Sequence, residues 1–508
     1  MDKYIKLFNT IKYLKTKQIY FRLFYFARAR LRRLRRFRYQ LVKESASTSL
    51  ALNDSIVNHY SSYIDNIFTF LNLSKNFEKQ IDWNYPEYGK LWTYNLTYFE
   101  YLKTKEDIQL IYDFIENIES IKDGLEPFPI SLRGINWIKF LTKFQIQDKK
   151  IDDSLYAQYY ILLDNLEYHL LGNHLLENGF SLLFGAYYFQ DEVLYTQAKD
   201  ILQKELEEQI LDDGAHFELS PMYHQIMLFR VLDCINLVQN NMFKNQELLD
   251  LLKEKASLML GWLEVMTYNN GDIPLLNDSA NGIAPTSREL FEHANRLKIG
   301  TTLHDLHNSG YRKITKEQYE CVIDVGNIGP DYIPGHAHSD TFNFIVHKNN
   351  QDFIVDTGLS TYETNERRTL ERSTASHNTV EVNSKDQSEV WGGFRVANRA
   401  KIIALEENSN VIEATHNGYR KESVFHTRKW TFEDQKIIIE DYLNKPAKAI
   451  ARVHFHPDIL KDEIINTIKS THPIEFTTYK YAPEFNKLID AICVEIKFEK
   501  NLKVEIEI

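Results

Sequence analysis

Two stretches decide the fold: ELLDLLKEKASLMLGWLEVMTY (residues 247–268) and CVIDVGNI (residues 321–328). The first repeats apolar residues at intervals of three and four, which indicates an amphipathic helix. The second is short and rich in β-branched residues, which is typical of a strand. Helical periodicity runs from about residue 55 to about residue 300, and includes SIVNHYSSYIDNIFTFLNL (residues 55–73). Strand-like segments follow from about residue 310, so the sequence predicts segregated helical and strand domains, an α+β multidomain chain.

Each part has a predicted architecture. Successive helical segments, separated by short breaks that carry Gly, Asp or Pro, predict an (α/α) bundle or toroid. The strand segments alternate in polarity and are divided by turn residues, which favours an antiparallel β-sandwich. We expect a basic arm over residues 1–45, a helical domain over residues 46–310 and a sandwich domain over residues 311–508.

The composition excludes several classes of protein. The chain has 508 residues, 43% hydrophobic and 26% charged, which is ordinary for a globular protein and excludes a disordered or fibrous one. Its three cysteines, Cys234, Cys321 and Cys493, are far apart and odd in number. They predict neither a disulfide framework nor a cysteine-based zinc site. The sequence contains no glycine-rich phosphate loop, which disfavours nucleotide-dependent chemistry.

Charge is unevenly distributed along the chain. Residues 1–38 contain thirteen Lys and Arg and one acidic residue, a net charge of +12, within a chain whose total is −11. The other 470 residues therefore carry −23. An acidic body of this kind argues against nucleic acid as a partner.

The basic arm, residues 1–38, interleaves aromatic residues with arginines, so a helix there has a basic face and an apolar face. One interpretation is contact with an anionic membrane surface or an acidic partner. The other is a first helix packed on the acidic body. Basic residues interrupt every apolar run that could serve as a secretory signal, and no run approaches the length of a membrane span. We therefore expect a cytoplasmic protein, peripheral to the membrane if the arm binds lipid.

Polar residues are concentrated in four short stretches. They are GNHLLENG (residues 172–179), SPMYH (residues 220–224), GHAHSD (residues 335–340), and DTG with SHNT (residues 356–358 and 376–379). If the third stretch is extended, His336 and His338 point to the same side because they are two residues apart. His338, Asp356 and His377 supply two imidazoles and a carboxylate, a set that suits Zn²⁺. A hydrogen-bonded cluster without metal is the alternative.

Taken in order, these stretches resemble the heparinase II/III-like polysaccharide lyases, especially members associated with bacterial surface-polysaccharide loci. The matching motifs span most of the chain: LWTYNLTYF (residues 91–99), SLRGINW (131–137), NH (173–174), YH (223–224), GHAHSD (335–340), VDTG (355–358) and SHNT (376–379). The resemblance implies an incomplete (α/α) toroid followed by an antiparallel β-sandwich. It also implies β-elimination at a uronic acid of an anionic polysaccharide, with the periplasm as the alternative location.

The same resemblance assigns roles to residues. Tyr223 would be the acid at O4 and also the base in a syn elimination, whereas His174 would be the base in an anti elimination. Asn173 and His336 would neutralise the substrate carboxylate. His338, Asp356 and His377 would hold a structural zinc ion. We expect substrate contacts from Arg133, Trp137, Asn178 and Arg372. A tyrosine is a reasonable acid or base here only if its pKa falls well below about 10, and we expect nearby cations to lower it.

Two other functions remain open. An (α/α)-toroid glycoside hydrolase needs two carboxylates that flank the scissile bond, and Asp212, Asp213, Glu218 and Asp278 are available. A non-catalytic glycan-binding or assembly protein could instead dock at the membrane through the arm. Because the chain departs from many relatives in lacking a recognisable export signal, we expect trimming of a polysaccharide during its own synthesis.

Overall fold

The computed structural model describes residues 2–39, 46–244 and 247–508. Its helices are α1 (Asp2–Ile11), α2 (Thr16–Leu34), α3 (Lys90–Tyr98), α4 (Ile108–Asn117), α5 (Pro127–Phe144), α6 (Lys149–Asp164), α7 (Gly172–Phe189), α8 (Glu192–Gln209), α9 (Pro221–Asn240), α10 (Glu247–Met266), α11 (Ser287–Arg296), α12 (Glu366–Glu371) and α13 (Lys461–Thr467).

Its strands are β1 (Ser62–Ile64), β2 (Ile67–Phe70), β3 (Leu73–Asn76), β4 (Tyr311–Thr315), β5 (Tyr319–Asp324), β6 (Phe344–Lys348), β7 (Gln351–Ile354), β8 (Val380–Val382), β9 (Val390–Trp391), β10 (Arg395–Val396), β11 (Ile402–Glu407), β12 (Val411–His416), β13 (His426–Glu433), β14 (Lys436–Leu443), β15 (Ala449–His454), β16 (Ile468–Ser470), β17 (Ile474–Tyr481), β18 (Ile489–Phe498) and β19 (Asn501–Glu507). The predicted order, a helical part followed by antiparallel strands, is confirmed.

Helix α7 lies at the centre of the helical part. It packs against α5, α8 and α9, and every one of its residues except His174 is buried. A helix that is apolar on all sides is stable only when neighbours surround it. The position of α7 therefore fixes its first turn, which carries Asn173 and His174, against the rest of the protein.

The prediction of a helix over residues 55–73 is wrong. This segment contributes β1, β2 and the start of β3, which pair as an antiparallel meander. Asp65 and Asn66 form the first turn with positive φ, and Leu71 and Asn72 form the second. Two-residue turns of this kind join adjacent antiparallel strands. The short turn signal therefore prevails over an apolar spacing that also fits a helix.

The strand part is a sandwich around a shared core. A six-stranded sheet, in the order β11-β12-β13-β14-β19-β16, faces sheets in the orders β17-β18-β15-β8 and β4-β5-β6-β7. Alternate residues of β13 and β14 are buried, and Trp430 pairs with Ile439 in the β13–β14 register. Side chains from all three sheets meet in one apolar core, as in packed antiparallel sheets.

Helix α2 of the arm lies where two loops of the body meet. Gln18 is buried, and its side-chain amide donates to the carbonyl oxygens of Leu170, at 2.9 Å, and Tyr332, at 3.4 Å. Leu170 precedes α7, and Tyr332 lies in the loop between β5 and β6. One residue of the arm thus joins the helical part to the strand part.

The remainder of α2 has a paired side and an open side. Arg28 and Arg32 form ion pairs with Asp164 at 3.1 and 2.6 Å. Leu23 and Phe26 are 65% and 58% exposed. The arm therefore packs on the acidic body and also presents apolar side chains to solvent. No helix within the described ranges combines the length and apolar character needed to cross a bilayer.

The boundary predicted at residue 45 lies outside the described residues. The boundary predicted between residues 310 and 311 lies at the start of β4, which begins at Tyr311, and the preceding helix, α11, ends at Arg296.

Candidate active site

A cleft of about 960 Å³ runs over the helical part to the edge of the strand part. Asn173 and Tyr223 line it from helices α7 and α9, and Tyr362 and Phe485 line it from the strand part. Asn173 and Tyr223, two of the four predicted catalytic residues, therefore line a large cleft, the usual location of a ligand site.

An unusual backbone positions Asn173. Leu171 and Gly172 both have positive φ, of 65° and 59°, immediately before the first turn of α7. A Cβ atom on Gly172 would approach Glu218 Oε1 to 2.7 Å, so glycine is required there. The tight turn lets Glu218 accept from the backbone N–H of Asn173 at 3.1 Å and from its Nδ2 at 2.8 Å.

Tyr223 lies in the first turn of α9. Ser220 caps this helix by accepting from the Tyr223 N–H through its hydroxyl, and Pro221 occupies the first helical position, where its missing N–H has no cost. The Tyr223 ring stacks on His336, with ring centroids 3.8 Å apart, and its hydroxyl lies 3.2 Å from that of Tyr362. The two catalytic candidates from the helical and strand parts are therefore in direct contact.

A buried carboxylate, Asp278, organises the histidines of the GHAHSD loop. Its Oδ2 is 2.9 Å from His336 Nδ1, and its Oδ1 is 2.8 Å from His338 Nε2. Arg368, from α12, donates to both carboxylate oxygens. Burial alone would raise the pKa of Asp278, but Arg368 and the two imidazoles hold that pKa well below its usual range.

The ionised Asp278 determines how His336 is oriented. Because the carboxylate can only accept, His336 donates from Nδ1. The other ring nitrogen, Nε2, then lies 3.2 Å from Asn173 Nδ2 and 3.5 Å from Glu218 Oε2. The structure thus brings Asn173, His336 and Tyr223 together beside the cleft.

Tyr223 is a protonated hydroxyl in this environment. Burial raises its pKa well above 10, and the charges of Asp278 and Glu218 raise it further. The cation Arg368 and the hydrogen bond with Tyr362 oppose this rise without cancelling it. We expected nearby cations to lower this pKa, and the direction is the opposite. Tyr223 therefore keeps its proton and could donate it, but it does not act as a base while its pKa is raised.

His174, the next residue of α7, has a different partner. Its Nδ1 is 3.0 Å from Glu167 Oε1, and its ring packs on Phe128, a residue of the cleft wall. Loss of solvent lowers the pKa of an imidazole, but Glu167 outweighs this effect and raises the pKa of His174 above its ordinary value. Asn178 is buried and holds Glu167 by donating to Oε2 at 3.0 Å and accepting from its backbone N–H at 2.9 Å. Asn178 thus supports His174 through Glu167, which corrects its predicted role as a substrate contact.

Arg133 and Trp137, two further predicted substrate contacts, lie inside the helical part. The Arg133 guanidinium donates to the carbonyl oxygens of Thr97 and Gly124 and to Gln158 Oε1. Burial lowers the pKa of Arg133 to about 9. Trp137 is fully buried in the apolar core. Neither side chain reaches the cleft, so the structure corrects both predictions.

Arg372, the fourth predicted contact, is also buried. It donates from Nε and Nη2 to the carbonyl oxygen of Ala337 and from Nη1 to that of Gly393. Burial lowers its pKa to about 9. Because Ala337 lies between His336 and His338, Arg372 holds the catalytic loop in place instead of binding a sugar carboxylate.

The predicted metal ligands lie behind this loop. His377 Nδ1 is 2.7 Å from Asp356 Oδ2, and the rings of His338 and His377 are 5.3 Å apart. His338 Nδ1 and His377 Nε2 are buried with no hydrogen-bond partner in the part of the chain that is described. Across the same ranges no three His, Cys, Asp or Glu side chains form a group that could hold a metal ion. The donor chemistry nevertheless fits zinc, which prefers imidazole nitrogen and accepts carboxylate.

Three residues of the site have no assigned role in the lyase prediction: Glu167, Tyr362 and Asp278. The sequence indicates Asp278 only as one carboxylate of a possible hydrolase. Its neighbours are 58 to 90 residues away in sequence, so no local spacing could have revealed them. The two histidines in GHAHSD are the one available signal, since a buried imidazole needs a hydrogen-bond partner.

Comparisons with known proteins agree with this architecture. The family model of the heparinase II/III N-terminus matches residues 139–297, and the model described as heparinase II/III-like, C-terminal, matches residues 298–488. Together they cover more than half of the chain. A heparin-sulfate lyase from Bacteroides stercoris is 24% identical over 332 residues, which cover 59% of this chain and 47% of that protein. The chain thus spans about half the length of this relative.

Solved structures show the same fold. A heparinase III structure is similar with a TM-score of 0.68 and 15% identity, over 95% of this chain and 90% of that one. A heparan sulfate lyase from Pedobacter heparinus is similar with a TM-score of 0.53 and 15% identity, over 86% and 79% of the two chains. The predicted incomplete (α/α) toroid followed by an antiparallel β-sandwich is confirmed. The chain belongs to the heparinase II/III-like family.

Proposed function

We propose that this protein is a polysaccharide lyase that cleaves a uronic-acid-containing polysaccharide by β-elimination. The observation that carries the proposal is the contact of His336 with both Tyr223 and Asn173, two residues that line the cleft. These side chains supply an acid and two groups that can bind a carboxylate, the set that the reaction needs.

The reaction begins with the substrate carboxylate. Removal of the C5 proton places negative charge on the C6 carboxylate, so donors at that carboxylate stabilise the developing charge. Asn173 and His336 are the proposed donors, and His336 can donate to the substrate only from a protonated Nε2, because its Nδ1 donates to Asp278. In the free protein the Asn173 amide donates to Glu218 and lies 3.2 Å from His336 Nε2. Substrate binding would therefore exchange these contacts for contacts with the carboxylate.

The proton transfers follow from the protonation states. The C5–H electron pair forms the C4–C5 double bond, and the C4–O4 bond breaks as O4 takes up a proton. Tyr223 is the proposed acid at O4 because its raised pKa keeps the hydroxyl protonated. His174 is the proposed base at C5, since it follows Asn173 in α7 and its side chain is partly exposed. This assignment favours anti elimination.

The test is the ultraviolet absorbance of the product on a panel of uronate polymers that includes hyaluronan, alginate and heparan-type chains. A lyase leaves a C4–C5 double bond conjugated to the carboxylate, whereas a hydrolase leaves none. Tyr223→Phe should lower kcat by about 10²–10⁴-fold, the usual contribution of an acid–base group. Tyr362→Phe is the matched control, because it removes the neighbouring hydroxyl and keeps the proposed acid. Cleavage without an absorbing product would contradict the proposal.

The hydrolase alternative has weaker support. Asp278 is paired with Arg368, His336 and His338, and its pKa lies well below the usual range. Such a carboxylate cannot act as the general acid of a glycosidase, which needs a raised pKa. Asp213 accepts from the backbone N–H groups of His307 and Ser309 and thereby holds a loop.

We also propose that the protein contacts an anionic membrane surface through residues 1–38 and trims a polysaccharide made there. The support is the net charge of the arm together with the exposure of Leu23 and Phe26, since basic helices with apolar side chains bind anionic interfaces. Sedimentation with phosphatidylglycerol vesicles should capture the protein, and phosphatidylcholine vesicles should not. Leu23→Glu with Phe26→Glu should abolish capture. If the wild-type protein binds polymer and vesicles but cleaves no uronate polymer, a non-catalytic glycan-binding protein is favoured instead.

We further propose that His338, Asp356 and His377 hold a structural zinc ion. Two buried, unpartnered imidazole nitrogens beside a carboxylate support this. The ion would support the loop that carries His336 and would take no part in the proton transfers. The purified protein should contain stoichiometric zinc by elemental analysis, and His377→Ala should lose it. A fully folded protein without zinc would contradict this assignment.

A further inference from the structure

We infer that this protein shortens its polymer from the non-reducing end, and that the turn at Leu71 and Asn72 determines this. The inference rests on the proposed lyase function and concerns the place along a polymer at which the reaction occurs. It follows from a wall of side chains directly beside Tyr223 and from the path of the cleft on the other side of that residue.

The wall consists of Leu71, Tyr362 and Phe485. The Tyr362 hydroxyl lies 3.2 Å from that of Tyr223, and the Tyr362 ring packs edge-on against Phe485, with ring centroids 5.1 Å apart. Leu71, in the turn between β2 and β3, packs in the same apolar cluster as these aromatic residues. Tyr223 and the three wall residues all line the cleft, so the wall extends from the proposed acid to the β1–β3 meander of the helical part.

Hydrogen bonds fasten the wall across the boundary between the helical part and the strand part. Asn72 donates from Nδ2 to the carbonyl oxygen of Phe485 and to Glu484 Oε2, both at 3.0 Å. In the opposite direction, Asn486 Nδ2 donates to the carbonyl oxygen of Leu71 at 2.9 Å. A sugar chain therefore cannot pass between the turn and the strand part while these bonds are intact.

The cleft continues on the other side of Tyr223. Its lining follows α9 from Tyr223, in the first turn, through Arg230 to Asn240, the last residue of the helix. The helical rise spreads these positions over about 26 Å. A polymer therefore has a long path on this side of Tyr223 and a short one on the side of the wall.

The proposed roles of the site residues orient the polymer in this cleft. The uronate carboxylate lies at Asn173 and His336, and O4 of the same uronate lies at Tyr223, whose hydroxyl contacts the wall. O4 carries the sugar on the non-reducing side of the uronate. When the base takes the C5 proton, the C4–O4 bond breaks, and that sugar leaves with O4 and the proton from Tyr223. The sugars that leave are therefore those next to the wall, where only a short piece fits.

Each cycle then removes a short saccharide from the non-reducing end. The polymer that remains keeps the new C4–C5 double bond on its terminal uronate. The first piece released is saturated, and each later piece carries the double bond that was formed in the cycle before.

The test uses polymers that carry a fluorophore at the reducing end. Hyaluronan, alginate and heparan-type chains are labelled with aminobenzamide, sampled early in the reaction and separated by size, with fluorescence and ultraviolet absorbance both recorded. We expect the fluorescent chains to stay long and to shorten gradually, while short products absorb ultraviolet light and carry no label.

Two other outcomes would overturn the inference and leave the lyase function intact. Fluorescent fragments of intermediate length, early in the reaction, would mean cleavage within the chain. Short fluorescent products would mean release from the reducing end. Absence of cleavage on every polymer of the panel would overturn both the inference and the lyase function.

Glycine substitution of the turn tests whether the wall is the cause. Leu71 and Asn72 have positive φ, of 54° and 62°, so glycine at both positions preserves the two-residue turn. Leu71→Gly with Asn72→Gly removes one wall side chain and the bond from Asn72 to Phe485. Fluorescent fragments of intermediate length should then increase several-fold among the early products, and an unchanged size distribution would exclude the wall as the determinant.

The other turn of the meander provides the matched control. Asp65 and Asn66 also have positive φ, of 51° and 63°, so Asp65→Gly with Asn66→Gly makes the same backbone change. This variant keeps Leu71 and the bond from Asn72 to Phe485, and its product sizes should equal those of the wild type. The same increase in intermediate fragments in this control would contradict the role of the wall.

Discussion

Replacement of Asp278 by asparagine should destabilise the protein and inactivate it together. The side chain is fully buried and accepts hydrogen bonds from His336, His338 and both ends of the Arg368 guanidinium. Asparagine has nearly the same shape, so the change removes charge and presents an N–H to groups that are themselves donors. Arg368, which is 1% exposed, would then be a buried cation without a counterion.

The expected size of the effect follows from these contacts. Breaking a buried ion pair by removing one partner costs about 3–5 kcal/mol, because the other charge remains buried and unpaired. Arg368→Met removes that remaining charge, so the double variant should be less destabilised than Asp278→Asn alone. Urea unfolding followed by tryptophan fluorescence measures both values. A loss below about 1 kcal/mol for Asp278→Asn, or simple additivity in the double variant, would refute the reasoning.

Catalysis provides the second measurement on the same variant. Asp278 makes His336 a donor at Nδ1 and leaves Nε2 facing Asn173. Without the carboxylate this orientation is no longer favoured, so kcat should fall by about 10²–10³-fold, the usual effect of losing one donor that stabilises developing charge. The assay is performed below the unfolding transition, so that loss of folded protein does not account for the decrease. An unchanged kcat in folded Asp278→Asn would show that the orientation of His336 has no role in the reaction.

Three further outcomes are expected. Gln18→Leu should lower kcat and speed amide hydrogen exchange in residues 167–172 and 329–335. The variant loses two hydrogen bonds of about 1 kcal/mol each, and unchanged exchange would contradict this prediction. Glu167 raises the pKa of His174, and a base works only when neutral. Glu167→Gln should therefore move the acid limb of the pH–rate profile to lower pH, and a shift to higher pH would exclude His174 as the base. Arg133→Met should lower the melting temperature and leave KM unchanged, because the guanidinium binds protein carbonyls; a selective rise in KM would restore its substrate role.

Periodicity predicted most of the fold because most elements follow the burial pattern directly. Helix α10 and strands β13 and β14 bury the residues that the spacing marks. The helix prediction for residues 55–73 failed because their apolar spacing fits a helix, whereas pairs of turn residues with positive φ make the segment an antiparallel meander. In this segment the turn residues indicate the structure better than the apolar periodicity does.

The site was predictable only in part. Residue order and family motifs identified Asn173, Tyr223 and His336, which the structure brings together. Burial was the property that the sequence could not supply. Arg133 and Arg372 are chemically suited to bind a carboxylate, yet long-range packing places both inside the protein, where backbone carbonyls occupy their donors.

The position of Gln18 has a practical consequence for how the protein is made and assayed. A shortened chain that omits residues 1–38, chosen to remove the basic side chains, would also remove the hydrogen bonds that join the segment before α7 to the loop that carries His336. Low activity of such a protein would then report a loosened active site rather than a lost membrane contact. Substitution of the outward-facing Leu23 and Phe26 separates the two effects, because it keeps Gln18 in place.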